Sequence, residues 1–172
     1  CILCSLLTSL LARKAGEKDP ERGFLLGTFF SIGPLLLGFY FPHVFEAAQK
    51  RSASMKRSIS QSVTDSLGVS PAALSLIVLD GLSIPQFYRD VLLLAFSVYQ
   101  GTADWGSALA EYAKLAQAAA AAMRLAEAIV DKPDAEHLAA ELRSAAEASG
   151  FTPAEIEEVL VLVPDCFTEH CR

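Results

Sequence analysis

Apolar residues at Ile2, Leu3, Leu6, Leu7, Leu10 and Leu11 recur at spacings of three and four. That spacing puts one stripe on a helix running from Cys1 to Lys14, which Gly16 can end. Asp19-Pro20-Glu21 then reads as an N-cap, a proline at the first helical position and an acid in the first turn. The same start signal recurs at Ser70-Pro71 and at Thr152-Pro153-Ala154-Glu155, the latter a capping box, while Gly68 and Gly150 are stops. Between these marks the pattern predicts a polar helix around Met55 to Leu67 and apolar ones from Pro71 to about Asp80 and from about Pro85 to Tyr99. A long Ala-rich helix follows from about Trp105 to Val130, broken by Asp131-Lys132-Pro133, then helices from Asp134 to about Ser149 and from Ala154 to Val163. No useful stretch alternates as a strand does. The expectation is an all-α chain of seven to nine helices, folded as one domain over residues 1–172.

Residues 23 to 44 interrupt this regular picture, because "GFLLGTFFSIGPLLLGFYFPHV" carries no acid, lysine or arginine. A membrane span needs roughly 20 such residues, and Lys50, Arg51, Lys56 and Arg57 would supply a basic flank. Against a span stand Gly33-Pro34 in its middle and Pro42 near its end, which break the backbone hydrogen bonding that lipid requires to be closed. Two short buried helices are the favoured reading. The close spacing of Gly23, Gly27, Gly33 and Gly38 fits tight helix packing, with a turn at Gly33.

Composition adds exclusions. The 172 residues are 52% hydrophobic, a figure inflated by the Ala116–Ala122 stretch, and carry a formal net charge of −6 with 14 Lys and Arg, scattered apart from Lys50-Arg51 and Lys56-Arg57. That balance argues against nucleic-acid binding, which uses a basic face. Lys50, Arg51, Lys56 and Arg57 are the candidate anion site, with a solvated polar connection as the plainer reading. No secretory signal is readable before Arg13, and an opening on Cys1 is expected of a processed product or an excerpt. Neither a Gly-x-Ser-x-Gly elbow nor a phosphate-binding loop with its lysine occurs. Asp65, Asp80 and Asp90 are expected at the surface and His43 and His137 facing solvent. Cys1-Ile-Leu-Cys4 and Cys166-Phe-Thr-Glu-His170-Cys171 together contain enough soft ligands to enclose zinc if the termini meet, the alternative being small apolar residues at one end and tail thiols at the other.

The order of these signals carries a resemblance. Gly27-Thr-Phe-Phe-Ser-Ile-Gly-Pro-Leu-Leu-Leu37, then Leu67-Gly68-Val69-Ser70-Pro71, then Ile84-Pro85, is similar to the HDOD domains of the HD superfamily, most clearly from about residue 19 to 100. The resemblance implies an all-α HD/HDOD-like domain. It places the family's His-Asp pair on Phe30-Ser31, its next histidine on Pro71 and its paired histidines on Ala95-Phe96. None of these five is a competent metal ligand, so the resemblance implies that metal-activated water, the basis of HD hydrolysis, is lost and that Phe30 and Phe96 fill the site. No cofactor is expected. The function so implied is that of a non-catalytic regulatory domain of a bacterial, cytoplasmic signalling protein, contacting a protein partner or adjacent signalling domain, with no nucleic acid or membrane. The alternatives from other classes are a small-molecule or nucleotide sensor using the vacated cleft, and an integral membrane protein spanning near residues 23–44.

Overall fold

A computed structural model describes residues 1–55, 58–103, 110–131 and 135–170, and among these residues the chain is all helix and turn. The helices are α1 (Ile2–Lys14), α2 (Pro20–Phe30), α3 (Ile32–Tyr40), α4 (Pro42–Met55), α5 (Ile59–Leu67), α6 (Pro71–Asp80), α7 (Gln86–Gln100), α8 (Ala110–Asp131), α9 (Ala135–Ser149) and α10 (Pro153–His170). The all-α expectation holds. The count of seven to nine does not, because α4 adds a tenth helix where the sequence shows only a sparse apolar pattern, Val44, Phe45 and Ala48 among charged and polar residues.

Local chemistry sets the boundaries as read. Asp19 accepts from the Glu21 N–H, Ser70 from the Ala73 N–H at 3.1 Å, and Thr152 and Glu155 bond each other's backbone N–H reciprocally. Ser58, unremarked in the sequence, caps α5 through the Gln61 N–H. Gly16 lies at φ +100 and closes α1, its N–H bonding Arg13 O while Glu17 N–H reaches Ala12 O. Three boundaries moved: the helix expected around Met55 to Leu67 begins at Ile59, with Met55 ending α4; the turn expected at Gly33 falls at Ser31; and α10 runs through Pro164 instead of stopping at Val163. Proline removes a single N–H and leaves the rest of the ladder available.

The Ala-rich α8 is the axis of the core. Leu115, Met123 and Leu125 are buried with Ala116 and Ala118–Ala122, and α8 packs against α1, α2, α5, α7 and α9. Alanine suits that place, since helices on several sides approach closely only where side chains are small. α1 and α2 are packed more tightly still: a Cβ at Gly27 would stand 2.6 Å from Ser5 Cα, and one at Gly23 2.9 Å from Ser9 Cα. α2 and α3 meet at Ser31 with a bend of 44°. No single helix among the described residues is long and apolar enough to cross a membrane, although the bent pairs α2/α3 and α5/α6 have the length and composition of broken spans. A smaller cluster of Leu37, Ala48 and Val63 joins α3, α4 and α5.

Candidate functional site

The positions that the family resemblance assigns to metal ligands surround the α2–α3 break. Phe30 is fully buried, its ring edge-on to Tyr99 of α7 at 6.0 Å between centroids. Ala95, one turn before Tyr99, is buried in the same cluster, and Phe96 packs against it half-buried. Ser31 turns its hydroxyl back onto its own helix, donating to Gly27 O at 2.7 Å. Pro71 is buried at the start of α6. The clamp between these elements is Ser75: its hydroxyl donates to Phe30 O at 2.6 Å and accepts the Gly33 N–H at 2.8 Å. Ser75 was missed in the sequence, where its signal is a lone hydroxyl inside the apolar run Pro71–Leu79. At the five positions in question stand two phenylalanines, a proline, an alanine and one serine whose hydroxyl is bonded to its own helix. They offer no imidazole or carboxylate to a cation.

Beside Phe30 lies a polar network that periodicity does not reveal. Tyr99 donates to Glu127 Oε2 at 2.8 Å and its hydroxyl oxygen lies 3.4 Å from Ser60 Oγ, while Arg124 donates to Tyr99 O at 2.7 Å and covers the Tyr99 ring. The Arg124 bond satisfies a carbonyl of the last turn of α7, which has no intrahelical partner. Burial, followed by the Glu127 charge, pushes the Tyr99 phenol above its usual 10.0. Tyr99→Phe is expected to cost about 1.5–3 kcal/mol in urea unfolding, the range for a hydrogen bond to a charged group. Because the unfolded phenol ionises first, the wild type should also lose stability as pH rises above 10.0, more steeply than the variant. Equal stability and parallel pH curves would mean that water replaces the bond at no cost.

Among the described residues the cysteine candidates are not assembled. Cys4 is buried against Met123 with sulfurs 3.9 Å apart, and burial pushes its thiol up to about 12, away from the thiolate that zinc binds. Cys1 is exposed at the start of α1, its sulfur 3.2 Å from Ser31 Oγ, and Cys166 is half-buried on α10. Cys171 and the His170 side chain lie outside the described residues. No group of three or more His, Cys, Asp or Glu is gathered among the described residues. Of the basic candidates, Lys50 and Arg51 are exposed on α4, Arg51 donating to Ser66 Oγ at 3.4 Å, and Lys56 and Arg57 lie outside the described residues, as does the His137 side chain. Asp80 pairs with Arg89 and Asp90 accepts from Gln86 at 2.7 Å, surface roles for both.

Two surface features emerge only from the packing. The expectation of two buried helices over residues 23–44 fails for the end of α3: at its corner with α4, Phe39, Tyr40 and Phe41 are 76%, 65% and 49% exposed, with Leu35 exposed one turn before Phe39, because no described helix covers that face. Elsewhere, a cleft of about 670 Å³ opens where the end of α1 and the start of α2 meet α8. Ala12, Ala15 and Leu115 form its apolar walls, and Glu17, Lys18, Asp19, Arg22 and Lys114 its polar ones. Compared with known proteins, the chain matches no family model, no curated protein and no solved structure.

Proposed function

We propose that this chain is a non-catalytic, HDOD-like regulatory domain that works by contact with a protein partner or an adjacent signalling domain. The observation that carries this reading is the α3–α4 corner, where three consecutive aromatic side chains face solvent although the neighbouring Leu37 and Ala48 are buried. Exposed apolar groups gathered at one place mark interaction sites more often than chance surface residues do, and aromatic anchors dominate protein interfaces. Phe39 and Tyr40 stand edge-on at 5.0 Å between ring centroids, so they present one continuous aromatic surface. The filled surroundings of Phe30 support regulation over hydrolysis, because the side chains there hold each other instead of presenting ligands.

A photo-crosslinking amino acid at Phe39, set against one at exposed Gln100 in cells expressing the full chain, tests the assignment. One discrete protein adduct is expected from position 39 and none from position 100, and Phe41→Ser is expected to reduce it at least about tenfold, the loss of a central aromatic anchor. No adduct, or the same adducts from both positions, would remove the reading.

A further inference from the structure

The geometry points to the cleft between α1, α2 and α8 as a binding site for an organic phosphate monoester. Its charges are not equivalent. Glu17 already accepts the Asp19 N–H at 2.9 Å, and Asp19 accepts the Glu21 N–H at 3.0 Å and lies 3.7 Å from Arg22 Nε. Arg22 also stacks over the Phe87 ring, 5.0 Å from its centroid. The loop's acids thus hold backbone N–H groups, Asp19 also lies beside Arg22, and the cleft's three cations exceed its two carboxylates by one charge. Lys18 and Lys114 lack any such partner among the described residues, yet both line the cleft. Two lysines lining one cleft give it a local positive charge that favours an anion there. A compact, highly charged oxyanion answers a lysine pair best, because an ammonium acts as a point charge where arginine would demand planar, two-pronged geometry.

The walls specify the remainder of the ligand. Half-buried Ala15, backed by the buried Ala12 and Leu115, gives the cleft an apolar base next to the lysines. About 670 Å³ falls within the usual range for small-molecule pockets, about 300–1,000 Å³, and exceeds what a phosphate ion alone would occupy. An aromatic or aliphatic body carrying one phosphate covers both kinds of wall, whereas inorganic phosphate meets only one. The cleft shares no residue with the α3–α4 corner, so the two assignments stand or fall separately.

Phenyl phosphate, inorganic phosphate and phenol, titrated into the full chain and followed by backbone amide NMR, test the site. Saturable shifts at Gly16, Lys18 and Lys114 are expected with phenyl phosphate, at least about tenfold tighter than with inorganic phosphate, none with phenol, and weakening as salt rises. Lys18 and Lys114 are exposed, so the Lys18→Ser/Lys114→Ser variant keeps the fold and is expected to weaken binding at least about tenfold. A Lys50→Ser/Arg51→Ser variant is expected to bind as the parent does. Absence of shifts at about 10 mM phenyl phosphate, equal affinity for inorganic phosphate, or undiminished binding by the Lys18/Lys114 variant would each overturn the assignment.

Discussion

Phe30→Ala is expected to lower the unfolding free energy by about 3–5 kcal/mol, the range for emptying a buried aromatic site. The side chain is 0% exposed, and the groups around it cannot readily collapse into the space it leaves. On one side Ser75 holds the Phe30 carbonyl at 2.6 Å and fixes α2 against α6. On the other, the Tyr99 ring is tied by Glu127 at its hydroxyl and by Arg124 at its carbonyl, so it cannot swing into the void without giving up those bonds. The loss includes the edge-to-face contact, itself worth about 0.5–1.5 kcal/mol. Urea unfolding of parent and variant measures the difference. A change below about 1 kcal/mol would show that the α2–α3 break is not the packed centre described above.

Two glycines of α3, five residues apart, should respond to alanine with opposite signs. A Cβ at Gly33 would stand 2.1 Å from Pro71 O and 2.7 Å from Ser75 N, both backbone atoms of α6 that cannot move aside as a side-chain end can. Gly33→Ala must push α3 and α6 apart and strain the Gly33 N–H bond to Ser75, so destabilisation at or above the usual overpacking range of about 1–3 kcal/mol is expected. Nothing lies within 4 Å of a Cβ at Gly38, which is exposed. There alanine only removes the conformational freedom that glycine gives the unfolded chain, and Gly38→Ala should stabilise by about 0.4–1 kcal/mol. Thermal and urea unfolding of the two variants decide the matter. Equal responses would mean that α3 does not approach α6 as described.

The pair also shows why the candidate site was only partly legible. In the sequence Gly33 and Gly38 both punctuate the same leucine-rich run, and what separates them is α6, which arrives from some forty residues further on. Phe30 was readable as core only through the resemblance that placed it in a filled site, since Phe39, Tyr40 and Phe41 lie in the same uncharged run and face solvent. Its clamp Ser75 was not, since a serine in an apolar helix reads the same whether it bonds its own helix or another one. Tyr99, Arg124 and Glu127 sit amid helix-forming residues on two helices, and no spacing rule links positions 99 and 127.

What the sequence by itself determined about this protein is local: the helical class, most of the helix ends, and the absence of metal ligands at the resemblance's positions. Caps, prolines and glycines act within a few residues, so their chemistry is complete before any tertiary contact forms. Only the tertiary structure decided that the alanine run is the core axis, that Phe39 to Phe41 face solvent while Leu37 is buried, and that Lys18 and Lys114, nearly a hundred residues apart, line one cleft. Those outcomes depend on which helix covers which face, a matter of packing between distant segments that near-neighbour periodicity does not encode.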